Sequence, residues 1–488
     1  SSRRRHTRWN CSSRGLGDVY KRQTENGGIN WVAAAREGPY WANETDKAYW
    51  MSRGNPLGVN IQFSHVQKRH DDIDDFQTGP RFLKVNSIGE VYAAFAQQVV
   101  RSTNCGNTWT QIDDDETTPG SGHWVGRGDS NLPGKTMCLD TGTPGTYLFG
   151  TGEHGLWRNT HDGDRVYPGA IAVEQLSGQS TSADDALNIS AIAVHPSDTN
   201  KIYTLQARQT QSGDLRYSPD SGTSWQTLSS PISVTGNDHV EQRTLLIDPS
   251  APSNMYFCIP LSEVNYSTSS QWTHNGPVGF LGHGIYRSFD GGLSWTLGNS
   301  GIPNEKSVDS LVMDPFDPRI LYAALNQTET GTLGGLFKTT NAGDSWSPVA
   351  IPAGIASVNQ VEVNKANGNL YIACGTYSRD GSTGGSWVSR DEGASWEMIF
   401  DMPNVRGITS SSVSTNVIAV NVGQAKIIDR INPGVYVSID GGVNWEKINT
   451  NLGQPGRIRS LVADPYDSNI LWCSLMGTGF WRTDFISG

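Results

Sequence analysis

Basic and polar side chains occupy the first position of a six-residue segment that recurs along the chain. Eight copies can be superimposed without gaps, and their first residues are Arg81, Lys135, Ser190, Arg243, Asp309, Asn359, Arg406 and Arg459. Five of these eight are basic, although the net charge of the chain is −11. Guanidinium and ammonium groups gathered in a concave site suit a carboxylate or a sulfate, and arginine can bind two oxygens at once. The alternative is internal pairing, with neighbouring carbonyls or with Asp309 and Glu241.

Acid–base candidates lie close to these positions in the sequence. We predict Glu241, Asp309, Glu153 and His154 as catalytic groups, and His283 occupies the same repeat position as His154. Hydrolysis of a glycosidic bond needs two carboxyls about 5–10 Å apart across the sugar. A lyase would instead need a cation beside a uronate and a histidine or tyrosine that takes the proton.

Tryptophans that the repeat does not explain lie in long connections. Trp124 falls in the connection 113–134 and Trp272 in the connection 261–284. An indole ring stacks well on the face of a sugar, and the alternative is that each ring packs only against its own loop. The predicted substrate-binding residues are Arg81, Lys135, Arg243, Arg406, Arg459, His283, Trp124 and Trp272.

Two acidic runs, Asp71–Asp75 and Asp113–Glu116, raise the question of calcium. Their spacing matches no defined calcium loop, so solvated surface is the better interpretation. Five cysteines beyond residue 23 show no zinc spacing or paired framework. We therefore predict no metal site and no cofactor.

The elements that position these residues are set by a second repeated pattern, Ser-x-Asp-x-Gly-x-x-Trp. Clear copies are Ser218–Trp225, Ser288–Trp295 and Ser438–Trp445, and looser ones end at Trp109, Trp346 and Trp396. We expect the Asp or Asn side chain to cap backbone N–H groups of a hairpin turn. Gly would take the positive-φ position, and Trp would start the next strand.

Each box belongs to a longer unit of four short strands, A to D. Strand A is the hexamer, strand B carries Leu-Tyr, strand C carries Gly-aromatic-Lys/Arg, and strand D begins at the Trp. Successive boxes end at Trp346, Trp396 and Trp445, a spacing typical of a propeller blade. We predict an all-β fold, a single β-propeller of eight blades, with seven as the fallback. An open solenoid is the structural alternative.

The last unit ends after its strand C, Gly479–Arg482, whereas Asn26–Trp31 looks like the end of a box followed by a strand. A strand from the N-terminal part would therefore close the ring and cover its edges. In such a ring the A strands line the axis. Their first residues would lie at its mouth together with the long D–A and B–C connections, where function usually resides.

The first 23 residues fit nothing that follows, and they carry seven basic residues against one acid. We interpret 1–23 as an adapter-like, non-native segment and 24–488 as the propeller; without the segment the net charge changes from −11 to −17. A missing signal peptide is then uninformative. No apolar run reaches 18 residues, so no membrane span is predicted.

The boxes, with the Asp-Pro and Gly-aromatic-Arg elements, resemble the Asp-box (BNR) repeat propellers over nearly all of residues 24–488. The unit consensus is most similar to the glycoside hydrolase family 74 and sortilin (VPS10)-like group. Sialidases are more distant, since their Arg-Ile-Pro motif is absent. In these families the box is structural and faces away from the site, so the resemblance indicates the fold more than the function. No segment aligns with the family 74 catalytic aspartates, and no catalytic residue is transferred.

Three functions remain open. The first is a secreted or periplasmic glycoside hydrolase that acts on a polysaccharide, with an acidic sugar favoured by the basic mouth. The second is a non-catalytic propeller that binds a protein or glycan, as sortilin-like and assembly-factor relatives do, and the third is a polysaccharide lyase. We expect a monomer, and no nucleic-acid partner, because the cations form a ring rather than a stripe.

Overall fold

The computed structural model of the protein describes sixteen stretches of the chain. They are residues 21–23, 32–35, 82–95, 98–127, 133–152, 154–166, 169–179, 187–207, 213–232, 242–261, 283–328, 331–376, 383–423, 432–452, 458–475 and 477–485. Nearly all the regular structure in them is β-strand.

The strands are numbered in chain order. The first twelve are β1 (Lys21–Gln23), β2 (Val32–Ala35), β3 (Phe82–Val85), β4 (Val91–Phe95), β5 (Gln98–Ser102), β6 (Thr110–Gln111), β7 (Asp114–Glu116), β8 (His123–Gly126), β9 (Gly134–Cys138), β10 (Leu148–Thr151), β11 (Leu156–Thr160) and β12 (Ala172–Gln175). A single 3-10 turn, Gly163–Arg165, precedes β12.

The next twelve are β13 (Ile189–His195), β14 (Asp198–Gln206), β15 (Leu215–Ser218), β16 (Gln226–Ser229), β17 (Arg243–Ile247), β18 (Met255–Ile259), β19 (Gly284–Ser288), β20 (Thr296–Leu297), β21 (Ser307–Met313), β22 (Leu321–Asn326), β23 (Gly335–Thr339) and β24 (Ser347–Val349). The last eleven are β25 (Val358–Val363), β26 (Leu370–Cys374), β27 (Gly385–Ser389), β28 (Glu397–Phe400), β29 (Val405–Ser410), β30 (Ile418–Val422), β31 (Gly434–Ser438), β32 (Glu446–Lys447), β33 (Ile458–Ala463), β34 (Ile470–Leu475) and β35 (Gly479–Asp484).

Most strands pair with their chain neighbours in antiparallel sheets, and β12 pairs with β8 as well. Six sheets have four strands in sequence order: β3–β6, β13–β16, β17–β20, β21–β24, β25–β28 and β29–β32. A seventh, β33–β35, has three. The predicted unit of strands A to D is therefore confirmed, and the all-β class with it.

The box turns have the predicted chemistry. In the box that follows β19, the Asp290 carboxylate accepts hydrogen bonds from Ser288 Oγ at 2.7 Å and from the Ser294 N–H at 2.9 Å. Gly292 has φ +91°, which only glycine adopts freely. The indole N–H of Trp295 donates to the Gly292 carbonyl at 3.0 Å, so the last residue of the box is hydrogen-bonded to the turn of the same box.

Apolar faces of successive sheets form the core. Tyr256 and Cys258 of β18 pack with Leu311 of β21 and Ala323 of β22, all almost completely buried. Because each second strand is apolar on both faces, one side packs on the preceding sheet and the other on the next. Cys258, Cys374 and Cys473 lie buried in second strands, as their sequence positions predicted.

The chain divides into two compact units. Unit 1 consists of residues 1–132 and 160–174, and unit 2 of residues 133–159 and 175–488. Within unit 2, the first strands contact one another in a cycle: β9, β13, β17, β21, β25, β29, β33 and again β9. This cycle contains seven of the eight predicted units, and the eighth, β3–β6, belongs to unit 1. The favoured count of eight blades in one ring is therefore not confirmed.

An aromatic cluster joins the two ends of the cycle. The Phe149 ring of β10 lies 5.0 Å from Phe480 and 5.7 Å from Trp472, measured between centroids. Gly134 approaches the backbone of Gly479 so closely that an added Cβ would lie 2.5 Å from its carbonyl oxygen. The first sheet of unit 2 thus packs directly on the last.

The N-terminal strands pair with each other. Gln23 lies opposite Val32, with residues 24–31 between them, just as Val437 lies opposite Glu446 on either side of the box 438–445. The expected closing strand, β2, is therefore paired with β1, and its pairing with the last sheet is not confirmed. The segment Asn26–Trp31 lies outside the described residues, and the non-native origin of residues 1–23 stays a prediction.

Candidate functional site

The first positions of the hexamers lie together at one end of unit 2. The box turns contact the A–B turns of their own sheets, for example Gly441 N–H to the Asn416 carbonyl at 2.8 Å. Boxes and A–B turns therefore share one end, and the starts of the A strands share the other. We call the seven described first positions the mouth residues: Lys135, Ser190, Arg243, Asp309, Asn359, Arg406 and Arg459.

A β-bulge accompanies the mouth residue in every A strand of unit 2. Asp309 is the extra residue between the pairs Val308–Leu325 and Ser310–Ala324, and Arg406 is the extra residue between Val405–Val422 and Gly407–Asn421. The same holds for four more strands, at Lys135, Ser190, Asn359 and Arg459. In β17 the bulge directly follows Arg243. A bulge redirects the side chain of its extra residue and is common beside active sites.

Neighbouring mouth residues contact one another across the sheets. Arg243 Nη1 lies 3.9 Å from Asp309 Oδ1, with side chains 26% and 14% exposed. Arg406 Nη1 donates to Asn359 Oδ1 at 3.3 Å. The internal pairing left open by the sequence is therefore seen for Arg243, in a long ion pair, and for Arg406, in a hydrogen bond to an uncharged amide.

Several polar groups of the mouth are buried. Lys135 is 8% exposed, and burial lowers the pKa of the Arg459 guanidinium. Gln242, next to Arg243, is completely buried, and its Oε1 accepts a hydrogen bond from Ser190 Oγ at 3.0 Å. Its Nε2 is buried without a hydrogen-bond partner among the described residues. Such a donor is costly unless a ligand or water satisfies it.

The two histidines take equivalent places before strand C. His154 is 3% exposed, and its carbonyl accepts from Trp157 Nε1 at 3.0 Å and from Gln175 Nε2 at 2.7 Å. His283 Nε2 lies 2.6 Å from the Asn304 carbonyl and donates to it. His283 is thus oriented by the backbone and partly exposed, whereas His154 is buried.

Four of the predicted site residues lie outside the described residues: Arg81, Glu153, Glu241 and Trp272. Their roles stay predictions. Among the described mouth residues, Asp309 is the acid and Lys135, Arg243, Arg406 and Arg459 are the bases.

Trp124 lies in unit 1, on β8. It is partly exposed, but its indole N–H is buried without a hydrogen-bond partner among the described residues. The preceding residue, His123, lies 2.9 Å from Asp162 Oδ2 and 3.6 Å from Glu174 Oε2.

Asp162 is the carboxylate that anchors this contact. Burial raises its pKa, but hydrogen bonds from Thr160, Thr117 and His123 outweigh burial and hold the pKa well below its usual range. Because Asp162 accepts several hydrogen bonds, its contact with His123 serves to fix the position of β8. The contact does not indicate a catalytic role.

The second acidic run has protein partners at every residue. Asp113 Oδ1 accepts from the Val99 N–H, Asp114 from Gln111, Asp115 from Arg127, and Glu116 from the Gly122 N–H. No group of three or more His, Cys, Asp or Glu side chains is arranged to hold a metal ion within the described stretches. The first run, Asp71–Asp75, falls outside them.

The opposite end of the A strands carries a second polar cluster that the sequence reasoning missed. Lys365 Nζ pairs with Asp140 Oδ2 at 2.5 Å, between two sheets that are not neighbours in the cycle. Nearby, Glu362 Oε1 accepts from the Ser410 N–H at 2.6 Å and from Ser410 Oγ at 2.5 Å. Burial raises the pKa of Glu362 to about 7 despite these hydrogen bonds.

Two signals in the repeat could have identified the residues that were missed. Gln242 precedes its hexamer, at a position that is apolar, Gly or Pro in the other seven units. Glu362 is the acid at the fourth position of the eight hexamers. A polar departure from the consensus of a buried repeat position indicates a specific partner.

Comparisons with known proteins agree with this architecture. The sortilin and Vps10 family (sortilin, neurotensin receptor 3) matches residues 283–426. A xyloglucanase from a Paenibacillus species is 26% identical over 208 residues, and one from Hypocrea jecorina is 23% identical over 243. The chain is similar to the family 74 and sortilin-like propellers. The predicted resemblance is therefore confirmed.

Solved structures support the same fold. The family 74 enzyme of Niastella koreensis has a TM-score of 0.52 at 17% identity, over 73% of this chain and 54% of that one. An ancestral family 74 enzyme has a TM-score of 0.50 at 16% identity, over 76% and 46%. At these identities the likeness concerns the fold alone.

The matches cover only part of each relative. The Paenibacillus alignment takes in 42% of this chain and 19% of that xyloglucanase, and the Hypocrea alignment takes in 43% and 26%. Within the described part of the chain, no helix has the length and apolarity needed to cross a membrane.

Proposed function

We propose that this protein is a glycoside hydrolase that acts on a polysaccharide at the mouth of unit 2. The observation that carries the proposal is the contact between Asp309 and Arg243, a partly exposed carboxylate beside a guanidinium at the start of adjacent A strands. The similarity to xyloglucanases makes a polysaccharide the natural substrate class. It also favours a secreted or periplasmic location.

The catalytic pair would combine Asp309 with a carboxyl from a neighbouring connection. Glu241 precedes Arg243 by two residues, and Glu153 lies in the connection between the second and third strands of its unit. Either carboxyl would enter from the same end as Asp309, and hydrolysis needs two carboxyls that face each other across the bond. His154 is the weaker candidate because it is only 3% exposed.

We further propose that unit 2 is a seven-bladed ring. The cycle of first-strand contacts and the Phe149 cluster support closure between the first and last sheets. The last sheet has three described strands, so a fourth from another part of the chain would complete it. We also propose that the protein is a monomer.

The test is a hydrolysis assay of the full chain on neutral and acidic polysaccharides, read by reducing ends and by ultraviolet absorbance. We expect reducing ends without absorbance. Asp309→Asn should lower kcat by at least about a hundredfold, whereas Glu397→Gln, an exposed acid on β28, should leave it unchanged. Absorbance from an unsaturated product would establish a lyase and replace this proposal.

A binding propeller without catalysis is the second candidate. The composition of the described mouth favours it, because Asp309 is its one acid and hydrolysis needs two carboxyls. If no polysaccharide is cleaved, but one binds and Asp309→Asn does not lower its affinity, this second function is the correct one.

A further inference from the structure

We infer that the mouth of unit 2 binds an oxyanion, either the carboxylate of a uronic acid or a sulfate ester on a sugar. The inference rests on the proposed function only in taking that anion to be part of a polysaccharide. It specifies the chemical class of substrate, which similarity to xyloglucanases does not.

The charge of the mouth is opposite to that of the chain. Four of the seven mouth residues are basic and one is acidic, whereas the whole chain has a net charge of −11. Cations grouped at the end of a ring of sheets attract anions and raise their local concentration.

The bulges are a backbone feature that places the mouth side chains together. Without them, a one-residue offset would turn each mouth side chain to the other face of its strand. Six A strands of different sequence place their extra residue at the same position, and that residue is Lys135, Arg406 or Arg459 in three of them. Packing within a single sheet does not require the bulge to fall at the same position in every sheet.

Side-chain contacts connect neighbouring sheets at the mouth. Ser190 Oγ bonds to Gln242, Arg243 lies beside Asp309, and Arg406 bonds to Asn359. Arg243 and Arg406 are therefore held in place by their neighbours before any ligand arrives. A preorganised guanidinium loses little conformational entropy on binding, and its fork matches the two oxygens of a carboxylate or sulfate.

Gln242 provides an independent indication of a ligand. Its Nε2 is fully buried without a hydrogen-bond partner among the described residues, yet its Oε1 is fixed by Ser190. The amide therefore has a buried polar atom, next in sequence to Arg243, that the described residues do not satisfy. An oxygen of the anion, or a water that the anion orients, would satisfy that donor.

Calorimetric titration of the full chain tests the inference with three probes. These are oligogalacturonate, which carries carboxylates, a sulfated galactan oligosaccharide, and a neutral xyloglucan oligosaccharide. We expect one of the two charged probes to bind at least about tenfold more tightly than the neutral one, a difference that shrinks as salt is raised. The charged probe that binds identifies the carboxylate or the sulfate as the recognised group.

Two variants with opposite expected effects make the test specific. Arg406→Gln should weaken binding of the charged probe about tenfold, whereas Asp309→Asn, which removes the described acid of the mouth, should tighten it several-fold. A merely structural role for Asp309 would not increase affinity. The matched control is Arg319→Gln, which removes an arginine paired with Asp317 in an A–B turn at the opposite end; its affinity should equal that of the wild type.

The outcomes separate this inference from the proposed function. Equal binding of the charged and neutral probes, or a loss of affinity in Asp309→Asn, would overturn the inference. Hydrolysis of a neutral polysaccharide without anion binding would leave the hydrolase standing and this inference refuted. Anion binding with the expected variant effects, but with no cleavage, would support the inference and refute the hydrolase.

Discussion

The Tyr147 hydroxyl donates to Asp464 Oδ2 at 3.1 Å, across 317 residues of sequence. The same carboxylate oxygen accepts from Trp472 Nε1 at 3.0 Å, and the rings of Tyr147 and Trp472 lie 4.9 Å apart. This shared carboxylate joins the first sheet of unit 2 to the last. It makes the ends of the cycle interdependent although they are distant in the chain.

Phe149→Ala should destabilise unit 2 by about 3–5 kcal/mol, because the ring is 2% exposed and packs on Trp472 and Phe480. The measurement is urea unfolding at pH 7. Phe316→Ala, at a phenylalanine that is 66% exposed, serves as the control and should change stability little. If both substitutions cost the same, the contact between the first and last sheets does not hold the ring.

Glu362→Gln should stabilise the protein at pH 8 and not at pH 4. Burial raises the pKa of this carboxyl from its ordinary 4.5 to about 7 in the folded protein, so stability is lost as pH rises from about 4.5 through 7. The shift corresponds to at most about 3–4 kcal/mol. The amide oxygen can still accept from Ser410, so the hydrogen bonds from Ser410 to position 362 remain.

Urea unfolding at pH 4, 6 and 8 checks this expectation, with the exposed Glu397→Gln as the matched control. The control should follow the wild type at every pH. A Glu362→Gln protein that is less stable than the wild type at pH 8 would show that the Ser410 contacts outweigh the cost of burying the charge.

Asp290→Ala should lower the melting temperature by a few degrees at pH 7, and Asp290→Asn should lower it by less, because the amide keeps the turn contacts but loses the charge. Asn341 makes the same turn contacts in another box, to the Ser345 N–H at 3.0 Å and to Thr339 Oγ1 at 2.7 Å. Hydrogen bonds from Ser294 and Ser288 hold the pKa of Asp290 at about 2. Its contribution is therefore present above about pH 4 and is lost as pH falls through 2.

Calorimetric scans at pH 7 and pH 2 measure this dependence. The difference between the wild type and Asp290→Ala should shrink at the lower pH. Asp401→Ala, at an exposed aspartate outside the boxes, is the comparison. A difference that persists unchanged at pH 2 would mean that the carboxylate form is not what stabilises the turn.

Cys105 should react rapidly with a maleimide in the native protein, whereas Cys258, Cys374 and Cys473 should not. Cys105 is exposed, and burial raises the pKa of the Cys473 thiol to about 12 and those of the other two still further. Mass spectrometry of a Cys11→Ser background gives the sites. Labelling of Cys473 as fast as Cys105 would show that the last sheet opens readily, and Cys105→Ser should remove the fast phase.

The repeat allowed much of the local structure to be predicted. The box turns depend on residues within eight positions, such as Ser288, Asp290 and Gly292, and their hydrogen bonds are local. The four-strand unit follows from alternation and turns in the same way. The grouping of Arg243 with Asp309 was also accessible, because both occupy one position of an aligned repeat.

Only the tertiary structure decided how the units combine. The bulge at Asp309 depends on how β21 pairs with β22, and the surroundings of Gln242 and Glu362 depend on contacts with neighbouring sheets. The sequence of one strand does not specify these partners. The cycle of seven first strands likewise depends on where Phe149 and Phe480 meet. The hydrogen bonds of a turn are determined by residues that are close together in the sequence. The number of sheets in a ring and the burial of its polar groups are set by long-range packing, which a repeat describes equally well for seven units or eight.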